Sequence, residues 1–152
     1  RQVMISNFSE YYKLVKYLTM YTKKQLGLTM GVTNLIEIFD EKYYDGVKGG
    51  ILEAFGNIFK NNMKIYLYPV LDKEEDTIID STNLKLEDNM KEFYKYFKVN
   101  DKIRDLEFNK DYLNIFSKDV LKQIKNNTPG WEDKLPEGVS DLIIKKKMFG
   151  YK

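Results

Sequence analysis

The spacing of apolar positions changes along this chain, and the changes outline its elements. Gln2 to Ile5 is a short β-prone run, and Ser6-Asn7 after it offers helix-capping side chains. Tyr11, Leu14, Val15, Leu18 and Tyr21 recur at helical spacing with lysines between them, predicting a helix. Leu26 to Val32 then reads as a strand, and Thr33-Asn34 as the cap of a second helix that ends near Tyr44. Asn34 and Glu37 have nearly the spacing of a capping box. A third helix is predicted from Ile51 to Lys60. The clearest strand is MKIYLYPV, residues 63–70. Lys64, Tyr66 and Tyr68 break its alternation only partly, which predicts burial on both faces.

Strand, helix, strand, helix, helix, strand is a βαβ order and favours a parallel sheet with right-handed crossovers. The expected fold is therefore a single α/β domain over residues 1–152. Its mostly parallel, three- to four-stranded sheet, flanked by helices, has strands near 2–5, 27–32 and 63–70. A short strand around Ile103-Arg104-Asp105 is the candidate fourth. Beyond an acidic turn at residues 71–81 the chain reads as a helical C-terminal half packed on the sheet. Met90, Phe93, Tyr94 and Phe97 mark one amphipathic helix there, and Leu113, Phe116, Val120, Leu121 and Ile124 another. Thr128-Pro129-Gly130 is a turn, Pro136 opens a last helix, and Trp131 is expected to be a buried anchor for this segment.

Composition narrows the chemistry. The chain has 152 residues with 43% hydrophobic and 32% charged, an ordinary globular balance. Its net charge is +2, and the basic residues are almost all lysine, with arginine only at Arg1 and Arg104. That argues against nucleic-acid binding, which favours a basic surface and bidentate arginine. There is no cysteine and no histidine. Disulfides, thiolate catalysis, Ser-His-Asp triads and His or Cys zinc sites are thereby excluded. No apolar run has the roughly 18–20 residues of a membrane span, and the expected location is cytoplasmic. No cofactor is expected. The opening at Arg1 rather than Met suggests a processed product or a piece of a longer protein.

Candidate sites follow from the expected sheet. Ligands of open parallel sheets bind beyond the carboxyl ends of the strands, here Ser6-Asn7 and Gly31-Val32-Thr33-Asn34. Helix N-termini at those points would favour an anion, although Ser, Thr and Asn also serve simply as caps. The stretch DGVKGGILEAFG, residues 45–56, raises the same question. It contains neither GxxxxGK[ST] nor GxGxxG. Gly49-Gly50 could let backbone approach a phosphate, or could be a turn between helices. Asn7, Thr33, Asn34, Gly49 and Gly50 are the candidate ligand-binding residues. The acidic run from Asp72 to Asn83 has Thr77 where a calcium loop needs Gly and Asn83 where it needs Glu, so no metal site is expected. Lys145-Lys146-Lys147 suits a helix C-terminus.

Three stretches, GVTNLIEIFDEKYYD, GGILEAFGNIFKNNMKIYLYP and PGWEDKLPEGVSDLIIKKKMFGYK, resemble the C-terminal portion of a group of longer bacterial proteins. Some of these carry the label nicotinamide- or nicotinate-mononucleotide adenylyltransferase. The usual enzymes of that class work through a His-x-Gly-His loop, which a chain without histidine lacks. The resemblance thus implies that any catalytic part lies upstream, and it assigns no catalytic residue here. Two functions remain in view. One is a non-catalytic domain that packs against or recognises the remainder of its parent protein. The other is a nucleotide- or phosphate-binding domain acting through the five residues above.

Overall fold

The computed structural model describes residues 3–152. The chain forms two compact units, residues 1–107 and 108–152, each with its own core.

The first unit is a mixed α/β structure. Helix α1 (Tyr11–Tyr21) leads to strand β1 (Gly27–Gly31), followed by α2 (Val32–Ile38), a 3-10 turn at Glu41–Tyr44, and α3 (Gly50–Ile58). Strand β2 (Lys64–Tyr68) runs into a hairpin of β3 (Val70–Asp72) and β4 (Thr77–Ile79). Helix α4 (Lys91–Val99) and strand β5 (Ile103–Asp105) complete the unit. The sheet order is β1-β2-β5, parallel throughout, with Thr29 beside Tyr66 and Tyr66 beside Arg104.

The predicted strand at 2–5 does not form over its described residues. Val3, Met4 and Ile5 have no strand assignment and no strand pairing, and Gln2 lies outside the described residues. Three β-prone residues cannot hold a strand without a partner edge and a covering layer. The third strand of the parallel sheet is β5 instead.

Strand β1 follows the period of two of β2, and β5 does so from Ile103 to Arg104 only, since Asp105 is exposed. Met30, Ile65, Leu67 and Ile103 are buried, with Leu28 half-buried beside them. They pack into one core with Val15 of α1, Val32, Leu35 and Ile38 of α2, Ala54, Phe55 and Ile58 of α3, and Phe97 of α4. Aromatic rings dominate its centre. Phe55 meets Phe39 at a centroid distance of 4.8 Å, Phe93 at 5.0 Å and Phe97 at 5.2 Å. Such tilted and edge-on pairs add about 0.5–1.5 kcal/mol each beyond the area they bury.

The opposite face of the sheet is different, and here the expectation of burial on both faces is overturned. Gly27, Thr29 and Arg104 are exposed, and Lys64, Tyr66 and Tyr68 are half-buried. The alternation in MKIYLYPV is thus real: Ile65 and Leu67 point inward, and the tyrosines lie on a partly solvated face.

The second unit is helical. Helices α5 (Ser117–Asn126) and α6 (Val139–Lys146) are joined by a turn at Glu132–Lys134. Val120, Ile124 and Ile143 enclose Trp131, whose ring lies 5.9 Å from that of Tyr151. The anchoring role expected of Trp131 is borne out, for it is 1% exposed. The last helix starts at Val139 rather than Pro136, after Gly138 at φ 77°. Among the described residues no helix is long and apolar enough to cross a membrane.

Candidate functional site

The carboxyl end of β1 runs straight into α2, with Gly31 as its N-cap and no side chain capping it. Thr33 and Asn34 therefore stand inside the first turn and do not cap it, and the expected capping box does not form. Both are exposed. The Asn34 amide donates to the Tyr11 hydroxyl at 3.3 Å, tying α2 to the start of α1. Asn7 is exposed and precedes α1 by several residues, because that helix begins at Tyr11 behind Glu10. Lys13 and Ser9 hydrogen-bond the Glu10 carboxylate and hold its pKa below the usual range.

The glycine stretch answers as a turn. Gly50 has φ +58°, a left-handed conformation that a side chain disfavours. The Gly49 amide donates to Glu53 Oε2 at 3.0 Å, so the N-terminus of α3 already holds a carboxylate of its own. A Cβ on Gly49 would meet the Glu53 Cβ at 2.8 Å. Glycine is needed here because Glu53 folds back so closely. Among the described residues no hydrogen bond joins Thr33 or Asn34 to Gly49 or Gly50, nor either pair to Asn7.

A polar cluster that the linear reading missed lies at the end of β5. The Ser81 N–H donates to Asp105 Oδ1 at 3.0 Å, and its hydroxyl donates to Asp105 Oδ2. Lys98 donates to Ser81 Oγ and lies 3.8 Å from the Asp105 carboxylate. The Tyr94 hydroxyl donates to the Ser81 carbonyl at 2.7 Å. Burial, and then the nearby Asp105 charge, push the Tyr94 pKa up. Serine beside lysine is one arrangement for a nucleophile and its base. Here, however, Ser81 is 2% exposed and its hydroxyl proton is committed to Asp105. The cluster fastens the turn after β4 to β5. Ser81 lies 13 to 24 residues from its three partners, which is why no local motif reveals the cluster.

Two clefts flank the turn at Glu41–Tyr44. One, of about 120 Å³, is lined by Ser9, Glu10, Tyr11, Tyr12 and Tyr44 among others, and is too small for a nucleotide. The other, of about 830 Å³, runs between Glu37–Tyr43 and Lys85–Asn89. Of its charged residues, Asp40 pairs with Lys42, Lys85 with Glu75 and Asp88 with Lys91 outside the cleft, while Glu37 and Glu87 make no ion pair among the described residues. No group of three or more acidic side chains among the described residues could hold a metal ion.

Two exposed areas stand out, one on residues 3–21 and one on the open face of the sheet. On the outer side of α1, Phe8, Tyr17 and Tyr21 form a ladder with ring centroids 5.4 and 5.1 Å apart. Tyr21 is 73% exposed and Met20 67%. Val3 and Ile5 upstream are 88% and 95% exposed. On the open face of the sheet, Tyr66 stands between Thr29 and Arg104, and its ring covers Gly27 closely enough to exclude a Cβ there. Arg104 and Lys64 both hold Asp101, whose pKa is pressed well below the carboxylate range by Arg104 first and Lys64 second. The ladder offers aromatic area, and the open sheet face offers paired charge beside Tyr66. Such surfaces are suited to contact with another polypeptide rather than to enclosing a small molecule. No family model, curated protein or solved structure matches the chain.

Proposed function

We propose that this chain is a non-catalytic domain that packs against the remainder of a longer protein, and that residues 3–21 supply much of the contact. The observation that carries this reading is the exposed Phe8–Tyr17–Tyr21 ladder with Met20 beside it. Contiguous apolar surface of this kind is costly to leave in water, at about 25 cal/mol per Å², and in soluble proteins it marks interaction sites. The competing reading is a nucleotide or phosphate ligand held by Asn7, Thr33, Asn34, Gly49 and Gly50. It draws less support, because Glu53 occupies the Gly49 amide and no hydrogen bond connects these residues into one cradle.

The absence of cysteine makes the test clean. Tyr21→Cys should react readily with a maleimide in the isolated chain, and at least tenfold more slowly in a longer protein that contains it. Glu74→Cys, in the exposed β3–β4 turn, should react equally in both. Equal rates at Tyr21→Cys would overturn the packing reading. A saturable thermal shift with nucleotides or inorganic phosphate would then favour the ligand reading, since a ligand at a hundredfold excess over its Kd stabilises by about 2.7 kcal/mol.

A further inference from the structure

The second unit treats its charges differently from the first. Every ion pair among the described residues lies in residues 1–107. The lysines of the second unit instead fall in runs with no matching acid. Residues 120–131 hold Lys122 and Lys125 and no carboxylate side chain, and residues 142–152 hold Lys145, Lys146 and Lys147 and again none. The acids of the two helices, Asp119 and Asp141, sit in their first turns.

Helical spacing groups these lysines with apolar side chains that water reaches. In α5, Lys125 lies four positions after Leu121 and three after Lys122, so the three are neighbours on one face. In α6, Lys145 and Lys146 follow Leu142 by three and four positions. All six residues are exposed. The turn Met148–Gly150 then returns to α5, for a Cβ on Gly150 would lie 3.5 Å from Lys125 Cγ. Phe149 thus stands between Lys125 of α5 and Lys147 at the end of α6. Its φ is +58°, a region that bulky side chains rarely enter, and the ring is 54% exposed. Packing does not account for a strained turn that holds a large apolar ring in water among unpaired cations.

We propose that this surface of the second unit binds an anionic lipid bilayer, with Phe149 and Leu142 entering the headgroup boundary and the surrounding lysines meeting the anionic headgroups. Charge complementarity and apolar reach select the partner together. Peripheral attachment combines an apolar anchor with basic residues, and both are present here. A polynucleotide would use the charge but leave Leu121 and Leu142 wet. It also favours bidentate arginine, and residues 108–152 contain none. Lysine, a compact point charge, suits a diffuse anionic surface. The inference is independent of the packing reading, which concerns residues 3–21.

Sedimentation of the whole chain with large vesicles tests it. Vesicles of phosphatidylcholine with about 30 mol% phosphatidylserine should bind the chain at least tenfold more tightly than vesicles of phosphatidylcholine alone. Each lysine near such a surface strengthens binding roughly fivefold. The combined change Lys125→Glu, Lys145→Glu and Lys146→Glu should therefore weaken binding tenfold or more. Phe149→Gly separates the ring from the charge. Glycine accepts the left-handed backbone, so this variant should melt no lower than the parent chain, yet bind the phosphatidylserine vesicles at least threefold more weakly. No binding, equal binding to the two kinds of vesicle, or binding that survives the three glutamates would overturn the proposal. Binding that is lost with the lysines but unchanged by Phe149→Gly would overturn it in favour of a polymeric anion such as RNA. A Phe149→Gly chain that melts well below the parent would show the ring to be structural, and would overturn its role as an anchor.

Discussion

The two faces of one three-stranded sheet show how the same alternating pattern yields opposite surfaces. On the core face Ile65 and Leu67 are wholly buried against helices whose own apolar stripes point at them. One residue away along the same strand, Tyr66 and Tyr68 lie half in solvent beside Arg104 and Thr29. All-parallel sheets ordinarily have both faces covered. The difference between the faces is one of environment: helices seal one, and the other keeps its tyrosines partly in solvent.

Replacement of one large side chain on each side gives the largest contrast. Phe55→Ala removes a ring that touches Phe39, Tyr44, Phe59, Phe93 and Phe97, and should cost about 3–5 kcal/mol in urea unfolding. Tyr66→Ala, on the other face, should cost about 1 kcal/mol or less. Comparable losses would mean that the open face is as structural as the core. Next in size is the turn into α3. Gly50→Ala should cost about 1–2 kcal/mol through its left-handed backbone, without altering affinity for phosphate.

Tyrosine ionisation sharpens the comparison from the alkaline side. Tyr44 and Tyr94 on the core side both have raised pKa values, chiefly from burial. Their neutral forms are favoured in the folded state, so their contribution is complete below about pH 10 and is lost as pH rises above it. Tyr94→Phe should flatten that alkaline slope in thermal unfolding. At neutral pH it should cost about 1 kcal/mol for the lost bond to the Ser81 carbonyl. The smallest effect belongs to the open face. The Asp101 pKa is lowered, so its contribution is present above about pH 4 and fades as pH falls below that. Asp101→Asn should make acid unfolding slightly shallower, and added salt should shrink even that difference.

Much of the fold was legible where local pattern and environment agree. Strands β1 and β2 stand out because Leu28, Met30, Ile65 and Leu67 alternate, and α4 because Phe93, Tyr94 and Phe97 share a stripe. The strand expected at 2–5 failed because β-propensity alone cannot hold an edge that nothing pairs with. Thr33 and Asn34 looked like caps, but Gly31 takes that place and the Asn34 amide reaches the Tyr11 hydroxyl instead, since a cap is decided by backbone geometry one or two residues away. The glycine turn could be located but not interpreted, for Glu53 becomes the partner of Gly49 only once the helix has formed. The Ser81 cluster was invisible, because its members meet only after α4 and β5 are assembled. The open face was hidden for the same reason. It depends on which strand lies beside which.

Trp131 carries one more consequence. It is the single tryptophan of the chain and lies sealed in the core of the second unit beside Tyr151. Emission excited selectively at tryptophan therefore reports on residues 108–152 alone, as a blue-shifted signal that moves to the red when that unit opens. The first unit contains only tyrosine and phenylalanine chromophores and is silent in that channel. The chain thus carries a native optical label on one of its two parts, and comparison of tryptophan emission with far-ultraviolet dichroism during denaturation would show whether the parts melt together or in turn.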